Sequence, residues 1–260
     1  MLPSHRVVSS FTTESRLANS ACRAFSLIEL LTVVAIIGIL AAILIPTASS
    51  SRNAANKAKV RVQFSQWGTA IEAFRQEYGY YPTFETGGAN ANKVNGNTAS
   101  ATTGAALHRF YETLVGVRRD GTALTGAATG NPIPPLGQNT RRIQFINFTN
   151  ADLVPFSTTD AALTAKRGLI RDAFDNTDIA VLVDRNLDGR ISLGAAGGDS
   201  INALPTVRPA DNPAGPLLSP STGANGDFPT GANTGVRAGV IFYCAPPRAT
   251  APTDLIMSWK

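Results

Sequence analysis

The feature that most constrains this chain is an apolar run from Phe25 to Ile45 that contains one acidic residue, Glu29. A helix of about 20 apolar residues is long enough to span the hydrocarbon core of a bilayer. An ionised carboxylate in that core costs on the order of 2.5–3.5 kcal/mol on insertion scales. The run therefore predicts a membrane helix in which Glu29 has a specific partner.

Three interpretations of this run compete. A cleaved secretory signal needs a shorter apolar stretch, and this run is longer and acidic, although Ala48 and Ser49 would pass as a cleavage site. A plain membrane anchor explains the length and the basic flank, with Arg23 on the cytoplasmic side. A plain anchor does not explain Glu29. The third interpretation, which follows, does explain it.

The segment from Ala24 to Leu30, Ala-Phe-Ser-Leu-Ile-Glu-Leu, resembles the processing site of type IV prepilins and type II secretion pseudopilins. The resemblance implies that a prepilin peptidase removes residues 1–24, a basic leader, by cutting between Ala24 and Phe25. It also implies methylation of the new amine on Phe25. The family usually has Gly where this chain has Ala24.

The same resemblance assigns assembly roles to Glu29 and Pro46. Pro46 stands where the family commonly has a proline that ends the strongly apolar half of the first helix. The cut creates a positive amine on Phe25, and Glu29 of one subunit is expected to face the amine of a neighbour. Because an unpaired buried charge is costly, this pairing favours docking and fixes the axial register.

The sequence beyond Pro46 predicts that the helix continues and becomes amphipathic. Apolar residues recur at alternating spacings of four and three, which is one stripe of a helix. Gly79 and Pro82 mark its end. We expect one long helix over 25–79, with 25–46 in the membrane or filament core and 47–79 packing through the stripe of Val60, Phe64, Trp67, Ile71, Phe74 and Tyr78.

Residues 80–260 are predicted to form a periplasmic globular domain of α+β class, pilin-like, with the long helix packed on a small antiparallel sheet. The loops 83–140 and 196–235 are rich in Gly, Pro, Asn and Ala. Within this domain we predict a short helix over 107–115 and strands over 142–148, 178–183 and 239–244.

Three further segments make the major pseudopilin of type II secretion the closest resemblance. They are Glu77-Tyr-Gly-Tyr-Tyr-Pro82 at the end of the first helix, the C-terminal Asp254-Leu-Ile-Met-Ser-Trp259 and, loosely, Asp172-Ala-Phe-Asp-Asn176.

A possible metal loop follows the strand predicted over 178–183. Its residues match the front of an EF-hand-type calcium loop, D-x-[DN]-x-[DN]-G. Ala195 stands where that loop needs a bidentate Glu, and Asp199 is a candidate late ligand. An ordinary Asp/Asn/Gly turn explains the same residues. The calcium ligands predicted here are Asp184, Asn186, Asp188, the carbonyl of Arg190, and Ser192.

Composition argues against an enzyme and against nucleic-acid binding. The net charge of +5 is weak and dispersed. The only histidines are His5, in the leader, and His108, which we expect at the surface or partly buried in a helix. Neither a nucleophile motif nor a phosphate-binding loop occurs. Cys22 leaves with the leader, so Cys244 is expected to be an unpaired core residue.

The sequence therefore predicts a structural subunit of a type II secretion pseudopilus. We expect it to span the bacterial inner membrane once, with the C-terminal domain in the periplasm. Its expected partners are other copies of itself, other pseudopilins, the prepilin peptidase, the assembly platform and membrane lipid. The alternatives are a type IV pilin of a surface filament and a membrane-anchored calcium-binding domain that does not polymerise. Pilins commonly close a C-terminal loop with two cysteines, which favours the pseudopilin.

Overall fold

The computed structural model divides the chain into two compact units, Met1–Ser50 and Ser51–Lys260. Helix α1, Leu27–Tyr78, contributes residues to both. The structure describes residues 26–84, 92–96, 108–124, 133–159, 164–194, 199, 201, 203–230 and 234–260.

In the first unit, the described part of the chain is the apolar beginning of α1. Its large apolar side chains are exposed all around the helix, from Leu27 at 82% to Leu44 at 63%. A helix that is apolar on every side needs an apolar environment around it. Pro46 lies within α1. The predicted long helix is therefore present.

In the second unit, the predicted stripe of α1 forms the centre of a core. Val60, Phe64, Trp67, Ile71 and Phe74 are all nearly inaccessible to solvent, and Tyr78 packs against them. The Trp67 ring lies 5.6 Å from that of Phe242 and 5.7 Å from that of Phe110. Helix α1 ends at Tyr78, and the next residue, Gly79, adopts φ +79° as a left-handed C-terminal cap.

The sheet has three antiparallel strands in the order β1 (Ile179–Val183), β2 (Val240–Cys244), β3 (Ile256–Met257). Residue Ile179 pairs with Cys244, and Val183 with Val240. These two longer strands confirm the predictions over 178–183 and 239–244. The two-residue β3 was not predicted because so short a strand has no readable alternation.

Both faces of this sheet are buried. Alternate residues such as Val181 and Phe242 face the helix stripe, in the first core. The residues between them, such as Leu182 and Tyr243, lie in a second core with apolar residues of the 191–236 region. The sequence predicted only the first core, because the residues that fill the second are single apolar positions in Gly- and Pro-rich loops: Ile191, Ile201, Leu204, Val207, Leu218, Phe228 and Val236.

The remaining described elements are two short α-helices, α2 (Arg109–Val115) and α3 (Pro135–Gln138), and a 3-10 helix over Pro252–Asp254. Helix α2 confirms the prediction over 107–115, with Leu107 outside the described residues. The strand predicted over 142–148 is wrong, because this segment joins no sheet. The Asn139 side chain instead bonds the N–H and the carbonyl of Ile143, and the N–H of Phe145 donates to the carbonyl of Leu114.

Candidate functional site

The candidate assembly site lies at the start of α1. Ala24 and Phe25 fall outside the described residues. Glu29 is exposed in the first turn of α1, and its Oε2 accepts a hydrogen bond of 3.0 Å from the N–H of Ser26. The N–H of Leu30 donates to the carbonyl of Ser26 at 3.2 Å, which places Ser26 at the N-cap.

Ser26 and Glu29 thus form half of a capping box, the Ser-x-x-Glu pattern that satisfies a free N–H at a helix start. The carboxylate also lies at the positive end of the helix dipole. Our sequence reasoning missed this local role, although the spacing of the two residues is enough to reveal it. In the isolated chain, Glu29 therefore has a polar partner in its own helix.

The predicted calcium loop folds as a tight turn after β1. Asp184 is buried and accepts hydrogen bonds from the N–H of Gly189 at 2.8 Å and of Asp188 at 3.3 Å. The turn needs left-handed backbone at Leu187, φ +61°, and at Gly189, φ +81°. The Asp188 Oδ1 accepts from the N–H of Arg190 at 2.8 Å. Glycine at 189 is thus required by the turn, as the motif predicts.

Asp199 closes the loop from outside the motif. Its side chain is fully buried and accepts from the N–H of Arg185 and from the N–H of Ser192, each at 2.8 Å. The Ser192 hydroxyl donates to the same carboxylate at 3.1 Å. The structure therefore brings Asp199 to the loop, while Ala195 lies outside the described residues.

The loop contains several carboxylates, but they are not arranged as a metal-binding cluster. The pKa of Asp184 is raised, first by burial and also by the nearby charges of Asp199 and Asp188. The Asn186 amide donates to Asp188 Oδ2 at 2.9 Å. Across the described ranges, no group of three or more His, Cys, Asp or Glu side chains is placed to hold a metal ion. A metal would have to displace some of these hydrogen bonds.

The expectation that His108 lies at the surface or is partly buried in a helix is wrong. His108 is fully buried at the N-cap of α2. Its Nδ1 accepts from the N–H of Tyr111 at 3.3 Å, and its Nε2 lies 2.9 Å from Asn95 Oδ1. Both contacts fit a neutral ring with the proton on Nε2. Burial, and then the charge of Arg119, lower the pKa of His108 well below 6.5.

Asp172 is a second buried titratable group. Its Oδ1 accepts from the N–H of Phe174 at 2.8 Å and of Asn176 at 2.9 Å. Within the described residues, Oδ2 has no hydrogen-bond partner of ordinary geometry. Burial raises the pKa of Asp172 to about 6. Burial and the Asp172 charge raise the pKa of the Cys244 thiol, which makes Cys244 an unreactive core residue.

The family model described as the prokaryotic N-terminal methylation motif matches residues 19–45. This motif is typical of type IV pilin-like proteins, a structural class, and it implies processing by a prepilin peptidase and assembly into filaments. The match includes Ala24, Phe25 and Glu29 but not Pro46. No curated protein and no solved structure gives a significant match to the chain.

Helix α1 is the one described helix that is long and apolar enough to cross a membrane. Its apolar window is wholly unburied within the structure. Together with the methylation motif, this helix indicates that the chain is anchored in a membrane.

Proposed function

We propose that the chain is a structural subunit of a type II secretion pseudopilus and not an enzyme. The observation that carries the proposal is the methylation motif over residues 19–45, with Glu29 in the first turn of an exposed apolar helix. The α+β unit behind that helix supports it, because a helix packed on a small sheet is the architecture that the resemblance implies. The C-terminal domain would then lie in the periplasm.

The assembly step is an exchange of partners at Glu29. Before assembly, the carboxylate caps its own helix through the N–H of Ser26. Cutting between Ala24 and Phe25 creates an ammonium group, which forms a stronger, charge-assisted bond with a carboxylate than a neutral N–H does. In the filament, Glu29 of one subunit binds the Phe25 amine of its neighbour. Pro46 lies on the same helix and ends its membrane-embedded part.

Substitution of Glu29 tests this step. Glu29→Ala is expected to leave membrane insertion intact and to abolish incorporation into filaments, since the amine of Phe25 loses its charged partner. Thr32→Ala is the matched control, because the Thr32 hydroxyl donates to the carbonyl of Glu29 at 3.0 Å and does not contact its carboxylate. Filaments containing normal amounts of the alanine variant at Glu29 would rule the exchange out.

Mass spectrometry of the mature amino terminus tests the class itself. A methylated Phe25 is the expected result, and a start at Met1 or near Ser49 contradicts it.

The alternatives of a type IV pilin and of a non-polymerising anchored domain are separated by phenotype. Loss of the chain should stop protein export for a pseudopilin, remove surface filaments for a pilin and do neither for the anchored domain.

We also propose a calcium site in the loop after β1, with Asp184, Asn186, Asp188, Ser192 and the Arg190 carbonyl as ligands. The support is the observed turn at Gly189 and the buried carboxylate of Asp199 beside it. Calcium favours such oxygen ligands and offsets the mutual repulsion of the carboxylates. Bound calcium would hold this loop against the second core.

Calorimetric titration of the full chain in detergent, with calcium and with magnesium, tests this site. Calcium is expected to release heat and to raise the melting temperature, and Asp188→Asn should weaken both effects. Asp175→Asn, at an exposed acid elsewhere, should change neither. The absence of heat and of a melting shift with calcium would refute the site.

A further inference from the structure

A basic segment, residues 52–61, follows the apolar part of α1. It contains Arg52, Lys57, Lys59 and Arg61, and no acidic residue occurs between Leu30 and Ile71. All four basic side chains are exposed, and none makes an ion pair within the described residues. Four exposed cations within ten residues are available to bind a negatively charged surface.

The acidic groups near this segment are largely engaged elsewhere. Asp254 lies close enough to Lys57 for that cation to contribute to its lowered pKa, after the N–H groups of Thr250 and Ala251. Lys59 lines a cavity of about 580 Å³ together with Asp152, Asp175 and the buried Asp172. Of these, Asp175 already pairs with Arg171 at 2.8 Å, and Asp152 accepts two hydrogen bonds from Thr149 at 2.8 Å.

Arg61 lies beside another cation. It lines a second cavity, of about 220 Å³, that Lys260 also lines. Among the described residues, neither Arg61 nor Arg52 forms an ion pair.

The position of the basic segment limits which surface it can reach. Arg52 is seven residues beyond Ile45, so it lies within about 25 Å of the apolar run even in a fully extended chain. Anionic headgroups attract a cluster of lysine and arginine side chains that lies next to a membrane-spanning helix. The leader contributes Arg6, Arg16 and Arg23, so basic residues flank both ends of the run.

We propose that residues 52–61 bind anionic lipid headgroups of the membrane that anchors α1. This inference rests on the membrane anchoring and is independent of the choice between pseudopilus and pilus. The lipid contact would hold the start of the second unit at the bilayer surface before assembly.

Lysine labelling of the full chain in lipid nanodiscs tests the contact. Nanodiscs leave both faces accessible, and mass spectrometry reports the acylation rate of each lysine. We expect Lys57 and Lys59 to react at least about threefold more slowly in phosphatidylglycerol than in phosphatidylcholine, with Lys166 unchanged. High salt should remove the difference, because it screens the charges.

Two double variants sharpen the result. Arg52→Gln with Arg61→Gln should remove most of the protection, whereas Arg142→Gln with Arg237→Gln, which changes two exposed arginines elsewhere, should retain it. Equal acylation rates in the two lipids would overturn the inference. Protection in phosphatidylcholine that grows with the number of chains per disc would also overturn it, because the segment would then contact a second copy of the chain. A chain that does not co-elute with either disc overturns the membrane anchoring as well.

Discussion

Two buried groups, His108 and Asp172, should make the stability of this protein depend on pH in opposite directions. The folded state holds His108 neutral, with its pKa well below 6.5. The unfolded chain therefore binds the proton first, so the contribution of His108 is complete above pH 6.5 and is lost as the pH falls. Between about pH 6.5 and pH 4.5 this loss is at most about 2 kcal/mol.

Asp172 acts in the other direction, because its folded pKa of about 6 lies above its ordinary value of 3.8. As the pH falls, the folded state therefore takes up a proton on Asp172 before the unfolded chain does. The contribution of Asp172 is complete below pH 3.8 and is lost as the pH rises through about 6. Over the same interval, acidification therefore adds about 2 kcal/mol. The two effects oppose each other in the wild-type chain.

Urea unfolding of the full chain in detergent, followed by the fluorescence of buried Trp67, separates the two groups. His108→Asn supplies an amide oxygen as the capping acceptor in place of Nδ1 but does not titrate, so acidification should stabilise this variant by up to about 2 kcal/mol relative to wild type. Asp172→Asn keeps the acceptor for Phe174 and Asn176, and acidification should destabilise it by a similar amount. Each variant serves as the control for the other, and two variants with the pH dependence of wild type would refute the assignment of these buried groups.

Two further predictions concern packing. Trp67→Ala should lower the free energy of unfolding by about 3–5 kcal/mol, because a fully buried ring leaves a large cavity; a loss below about 1 kcal/mol in urea unfolding would contradict the described core. Gly239→Ala should cost about 1–3 kcal/mol, because a methyl group there would overlap the Tyr81 hydroxyl and the Glu72 carboxylate. Gly68→Ala is its control, because the new methyl group would lie 3.6 Å from Val240, an ordinary contact distance. The higher helix propensity of alanine should stabilise the chain by about 0.5–1 kcal/mol. Thermal unfolding measures the stability of both glycine variants.

The candidate assembly site could be proposed from the sequence because its residues are close together along the chain. Glu29 stands out in an apolar run, and the methylation motif covers it in one continuous segment. The capping contact with Ser26 is equally local, since the two residues are three apart. The turn after β1, for which calcium is proposed, was likewise visible as a continuous pattern, but Asp199, which bonds to the turn, comes from outside that pattern.

The buried polar groups were not readable, because their partners are distant in sequence. The Asn95 amide donates to the carbonyls of Ile170 and Thr177, and its oxygen accepts from His108. No periodicity marks such a set of residues. The strand predicted over 142–148 failed for a related reason, since Asn139 supplies the hydrogen bonds that a neighbouring strand would have supplied.

The sequence alone determined the long helix, its division into an apolar half and a striped half, and the carboxylate at its start. These features depend on spacings of three, four and about 20 residues along one element. Only the tertiary structure decided that the sheet is buried on both faces, that His108 is enclosed and that Asp199 reaches the loop. The physical reason is that burial depends on which distant segments cover a residue, and local spacing does not record that.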